Sequence, residues 1–305
     1  MGKFINPFTD YGFKKIFGQE ISKDLLIDFL NDLLKGERVI TDLTFLNNEQ
    51  LPKYNEGRGL IYDIYCCTDT GEKIIVEMQN KSQLHFKERA LYYLSNAIVQ
   101  QAEKGNEWRF GIKAVYGVFF MNFLFDSSVK LRTDVILADR DTGELFTDRM
   151  RQIFIALPLF QKEEEECEND FERWIYTLKN METLKRMPFK ARKAVFEKLE
   201  EIADVASLSK EERERYENSV NVYRTNLCVM DAAKEEGREE GRQEGREEGR
   251  QEGREEGRQE GLEEGLEKGR QEERLANARS MKAEGADYAF ISKITGLSED
   301  EIRNL

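Results

Sequence analysis

Two acidic residues sit inside neighbouring apolar runs, and chemistry could start where they meet. Asp63 interrupts residues 60–66, a short β-branched and aromatic run that reads as a strand. The turn Asp69-Thr70-Gly71-Glu72 leads back into residues 73–79, where alternation puts Ile75, Glu77 and Gln79 on one face and Ile74, Val76 and Met78 on the other. Carboxylates on adjacent strands can therefore point into one place. An isolated ionised carboxylate is costly to hold away from water, so such groups are paired, solvated or bound to a cation. Asp63 and Glu77, with the Met78 backbone carbonyl and waters, make an oxygen donor set that suits a hard divalent ion such as Mg²⁺, with Mn²⁺ or Ca²⁺ as alternatives. The plainer alternative places both acids on the solvent face of an antiparallel hairpin.

The elements that must hold this pair follow from periodicity. Phe13, Ile16 and Phe17, then Leu25, Leu26, Phe29, Leu30 and Leu33, predict helix over residues 10–34, broken near Gly18 and restarting around Ser22, with Asp10 as N-cap. Residues 38–50 read as a first strand, so that with the two acidic runs a three-stranded meander forms. A helix is expected over residues 84–103 with Phe86, Ala90, Tyr93, Leu94, Ala97 and Ile98 on one side. Arg89 lies within that pattern. It can pair with a core carboxylate or hold a phosphate bidentately. Residues 114–123 are apolar on both faces, as in a central strand, and residues 134–138 and 153–157 supply further strands. His85 is the single histidine, which removes any histidine triad or zinc cluster.

Asp63, Glu77-Met78-Gln79 and Phe86-Lys87-Glu88-Arg89-Ala90-Leu91-Tyr92-Tyr93 resemble the core of the PD-(D/E)XK nuclease superfamily. The opening Asn6-Pro7-Phe8-Thr9-Asp10-Tyr11-Gly12-Phe13-Lys14-Lys15-Ile16-Phe17-Gly18 and the closing Phe154-Ile155-Ala156-Leu157-Pro158-Leu159-Phe160 are similar to its transposase-associated branch, the Rpn recombination-promoting nucleases. The resemblance implies an α/β (α+β) restriction-endonuclease-like core of helix, three strands, helix and further strand. It also implies a Mg²⁺-dependent endodeoxyribonuclease with DNA as partner. Asp63, Glu77 and Gln79 would be catalytic, Asp10 a second-tier metal residue, and Lys14, Lys81, Arg89 and Gln100 substrate contacts. Gln79 stands where many superfamily members carry Lys, and being neutral it cannot supply that charge; Lys81, on the same face if the strand persists, or Arg89 would do so. Two other readings stay open: a nuclease-derived binding or scaffold protein without turnover, and an RNase using the same chemistry.

The net charge of -13 is unevenly placed, with 20 Lys and Arg against 22 Asp and Glu in residues 1–160 and 27 against 38 afterwards. The acidity therefore argues neither for nor against nucleic acid at the first half, where a general basic field is lacking. Four cysteines without metal-ligand spacing and no apolar run of membrane length are expected of a reduced, cytoplasmic protein with no organic cofactor. The nuclease-like domain is expected over residues 1–162, and helices over 163–232 form a subdomain. From Gly237 to Gly269 glycine recurs at every fourth position, nine times, among Arg, Glu and Gln. This repeat, within residues 233–271, reads as a marginal helix supported by self-association, or as a solvated linker. Residues 272–305 regain a core pattern and resemble a small helix-turn-helix tail, with Ser298 and Glu301 as a capping box. Acidic residues at the start of its last helix would repel DNA phosphate, so protein contact is as reasonable as DNA contact.

Overall fold

The computed structural model describes residues 2–50, 59–103, 109–126 and 128–305. The chain forms two compact units, Met1–Met230 and Asp231–Leu305.

In the first unit the helical rhythm becomes α1 (Asp10–Phe17), a 3₁₀ turn at Glu20–Ser22 and α2 (Lys23–Leu33), which bury the expected apolar residues. The N-cap of α1 is Thr9 and not Asp10. Asn6 makes the difference: its carbonyl accepts the Thr9 hydroxyl at 2.8 Å and its Oδ1 accepts the Phe8 N–H at 2.8 Å. Thr9 is thereby held extended, and its Oγ1 accepts the Gly12 N–H at 3.0 Å.

The first expected strand shrinks to β1 (Leu43–Phe45) and β2 (Glu49–Gln50). Upstream, the Asn31 side chain on α2 takes both backbone groups of Ile40, at 2.7 and 2.9 Å, so no strand neighbour is needed there. The run carrying Asp63 is not one strand. It splits into β3 (Leu60–Ile61), paired with β2, and β4 (Ile64–Thr68), paired with β1 and with β5 (Lys73–Gln79). The break falls at Tyr62 and Asp63, where Tyr62 turns fully inward and packs on the rings of Tyr65 and Tyr93. Because β5 stops at Gln79, Lys81 lies beyond the strand and the alternation argument does not place it.

α3 (Phe86–Val99) follows, shorter than the sequence pattern at both ends, then β6 (Val115–Met121), in which every residue is buried. β7 (Arg132–Ala138) and β8 (Leu145–Ala156) complete a six-stranded sheet of order β1-β4-β5-β6-β8-β7. The central β5, β6 and β8 run parallel and the outer pairings are antiparallel. Alternation along the strands sends two sets of side chains to two cores. Ile74, Val76, Met78 and Phe120 meet α1, α2, α4 (Asp170–Asn180) and α5 (Val195–Ala203), whereas Ile75, Phe119 and Phe154 meet α3. This is the expected α/β sandwich. Gly117 in β6 lets α3 sit close, since a Cβ there would lie 2.6 Å from Leu94 Cδ1.

The helices after residue 162, expected as a subdomain, pack into that same first core. The Trp174 ring packs on Phe17, Phe29 and Phe196 in tilted and edge-on contacts, and Trp174 Nε1 donates to Asp28 Oδ2 at 2.9 Å. α6 (Lys210–Ala283) begins against this core through the buried Tyr216 and Val220, and the whole glycine repeat lies within it, exposed on all sides. In the second unit α7 (Tyr288–Thr295) and α8 (Glu299–Asn304) fold onto the end of α6 around Ala278, Ile291 and Ile302, and Ser298 and Glu301 form the capping box. Among the described residues no helix is long and apolar enough to cross a membrane.

Candidate active site

The strand break positions the acidic pair. Had β4 continued through Tyr62, that residue would have faced Met78 across the ladder. Instead Asp63 Oδ2 accepts the Met78 N–H at 2.8 Å, and the Asp63 N–H donates to Glu77 Oε1 at 3.0 Å. Each acidic residue is thus tied to the backbone or side chain of the other's strand. Glu77 is only 2% exposed, while Asp63 opens on a cleft of about 220 Å³ that Gln79, Asn80, Lys81 and Asp10 also line.

Burial and mutual repulsion govern the electrostatics. The Glu77 carboxyl is pushed up to about 8, first by loss of water and then by the Asp63 charge. Burial also raises Asp63, opposed by the Met78 N–H and by the positive charges of Lys14 and Arg89. The Arg89 guanidinium stands 3.8 Å from Glu77 Oε2, beyond hydrogen-bond range, and rests over the Tyr93 ring at 5.3 Å while contacting Gln83. Gln79 Nε2 donates to Glu77 Oε2 at 3.3 Å. A carboxylate pair, Glu77 buried and Asp63 half-buried, with Arg89 only at the outer range of an ion pair, fits a hard divalent ion: Asp63, Glu77 and the Met78 carbonyl supply oxygen donors of the required type. Among the described residues no group of three or more His, Cys, Asp or Glu is arranged to hold a metal, so the shell of an ion held by this pair would need waters or substrate oxygens to complete it.

The remaining expected residues are spread more widely. Asp10 lines the cleft but is mostly exposed and ion-paired with Lys14 at 2.6 Å. Lys81 lines the cleft and donates to Asn226 Oδ1 at 2.7 Å. Gln100 caps the far end of α3 and bonds Gln50 at 2.7 Å, with no contact to the acidic pair. The third wall had no counterpart in the sequence reading: Ser219, Val222, Tyr223, Asn226, Leu227 and Met230 of α6 close the cleft. A signal exists, in hindsight, in the helical spacing of Tyr216, Val220, Tyr223, Leu227 and Met230 along one face.

A mixed sheet with a parallel centre, helices on both faces, an acid at a strand break and Glu-x-Gln closing the next strand fit the PD-(D/E)XK class of nucleases. A family model described as PD-(D/E)XK nuclease family transposase matches residues 7–233, and the chain belongs to that family. Comparison with curated proteins and with solved structures found no match. The family match bears out the resemblance read from the sequence blocks and supports a nuclease-type, transposase-associated role. It extends through α4, α5 and the first turns of α6, the same stretch that packs into the first core.

Proposed function

We propose that this chain is a Mg²⁺-dependent endodeoxyribonuclease that hydrolyses phosphodiester bonds in DNA. The single observation that carries this reading is the pair Asp63 and Glu77, the first half-buried and the second buried, mutually repelling and linked by one hydrogen bond at the end of β5. Asp63, Glu77 and the Met78 carbonyl would hold the ion. Such an ion supplies an activated water and neutralises charge developing on phosphate. Gln79, already bonded to Glu77, orients water or a phosphate oxygen through its amide. Lys81 and Arg89 provide the positive charge that Gln79 lacks, Lys14 adds to the field at Asp63, and Asp10 sits at the cleft wall where it can meet the ion through water. The exposed glycine-repeat helix, where no atom lies within 4 Å of any of the nine added Cβ positions, is free to self-associate. The four free thiols accord with a reducing compartment.

The test is nicking of supercoiled plasmid in Mg²⁺ by wild type and Asp63→Ala. Activity confined to wild type is expected, and equal activity in both overturns the assignment. A second reading, a scaffold without turnover, is favoured by the absence of a third acidic or histidine ligand among the described residues. Calorimetric titration with Mg²⁺ or Mn²⁺ separates the two, because a scaffold does not require the ion.

A further inference from the structure

The cleft beside Asp63 has a chemistry that phosphate binding does not account for. Part of its wall is apolar and aromatic, Phe8 from the N-terminal segment with Val222, Tyr223 and Leu227 of α6, beside polar residues that include Asp10, Asp63 and Lys81. The core phenylalanines interlock with one another, yet neither Phe8 nor Tyr223 forms a ring contact among the described residues. Four side-chain amides line the same space, of which Gln79 is bonded to Glu77 and Gln83 to Arg89, leaving Asn80 and Asn226. Asn226 is engaged by Lys81, but Asn80 is half satisfied. Its Nδ2 donates to the Phe8 carbonyl at 2.6 Å, which fixes the orientation of the amide, and its Oδ1 is buried with no hydrogen-bond partner among the described residues. A buried acceptor of this kind calls for a donor from outside the chain.

The cleft is also small. At about 220 Å³ it falls below the ~300–1,000 Å³ of pockets that enclose drug-sized ligands, and it has room for one planar heterocycle but not for a stacked base pair. We propose that this cleft is a subsite for a single unstacked nucleobase, held next to the phosphate at Asp63. The base lies between Phe8 and Tyr223, and an amino or ring N–H on its edge donates to Asn80 Oδ1. Lys81 keeps two further ammonium donors for the adjoining backbone phosphate. This rests on the nuclease reading and narrows its substrate to DNA with a base out of the stack: a single strand, a frayed end or a mismatch. Extruding a paired base costs unstacking energy, least where pairing is already broken, and that cost is the source of selectivity.

The experiment compares affinities by fluorescence anisotropy in EDTA at fixed salt, so that no cleavage is required. The probes are a labelled 16-mer duplex, the same duplex with one central mismatch, and the single strand. Duplexes of equal length and charge remove the electrostatic contribution from the comparison. The mismatched duplex and the single strand should bind about tenfold or more tightly than the matched duplex, the scale of one base stacked on an aromatic ring. Tyr223→Ala should abolish that preference and Tyr223→Phe should retain it. Val222→Trp, at an exposed helix position, should abolish it by filling the cleft, which covers the case in which Tyr223→Ala does not fold by thermal melt. Equal affinity for matched and mismatched duplexes, a preference that survives both cleft variants, or no DNA binding by wild type would overturn the proposal. Plasmid nicking without the preference defeats the subsite alone, whereas the preference without nicking defeats the nuclease reading and leaves the subsite standing.

Discussion

Replacing Glu77 with glutamine should stabilise the ion-free protein at alkaline pH, and the size of the effect follows from where the carboxyl sits. Glu77 is 2% exposed, and burial with the Asp63 charge moves its carboxyl from 4.5 to about 8. The folded chain therefore binds this proton more tightly than the unfolded chain. Stability from this group is fully present below about pH 4.5 and is lost as pH rises toward 8. At ~1.4 kcal/mol per pH unit, the carboxylate costs ~3 kcal/mol at pH 7 and at most ~5 kcal/mol above pH 8. The amide introduced by Glu77→Gln would keep the shape, can still accept the Asp63 N–H, and carries no charge at any pH. Denaturant unfolding in EDTA at pH 5.5, 7.0 and 8.5 should show wild type losing ~3 kcal/mol more than Glu77→Gln across the range, since other titrating groups cancel in the difference. Added Mg²⁺ should restore wild type at pH 8.5 and leave the variant unchanged. Parallel pH profiles, or a variant less stable than wild type at pH 8.5, would refute the reasoning that a carboxylate whose charge costs stability sits at the end of β5.

Other parts of the structure give further expectations. Thr9→Ala removes the oxygen that accepts the Gly12 N–H and should lower stability by about 1 kcal/mol in urea unfolding, while Asp10→Ala, which carries no cap bond, should cost less. Gly117→Ala would press a methyl to 2.6 Å from Leu94 Cδ1 and 2.7 Å from the Phe119 ring, so a loss of about 1–3 kcal/mol is expected in the same assay. In the repeat, Gly245→Ala and Gly249→Ala meet no atom within 4 Å and should each favour helix by about 1 kcal/mol, read as slower loss of the 222 nm circular dichroism signal on heating. A loss of helicity in those variants would mean that the glycines are needed for close approach of another chain.

Local chemistry made much of this fold readable and long-range closure hid the rest. Phe13, Ile16 and Phe17 mark α1 because burial on one helix face leaves a 3.6-residue rhythm, and the unbroken apolar run around Val118 marks a strand covered on both sides. Ser298 and Glu301 were legible for the same reason, since a capping box is complete within four residues. Thr9 and Asp10 are both capping types, and only the hydrogen bonds that Asn6 accepts decide between them. The break at Asp63 was not legible, because residues 60–66 are an apolar, β-branched and aromatic run apart from that one charge, as a continuous strand would be; the inward turn of Tyr62 onto Tyr93 ends it. The α6 wall was hidden by distance along the chain. Lys81 and Asn226 are 145 residues apart, and nothing near either one announces the other.

The bond from the Met78 N–H to Asp63 Oδ2 gives one side chain two employments. Where β4 breaks off, this oxygen stands in for the missing peptide carbonyl and finishes the edge of β5. An asparagine at the same position would keep that rung while abolishing the negative charge, whereas an alanine would leave the Met78 amide without its acceptor and a glutamate would overreach by one methylene. On the proposed nuclease reading, loss of hydrolysis through asparagine therefore needs no loss of architecture, and a silent copy of this protein could persist as a well-folded body.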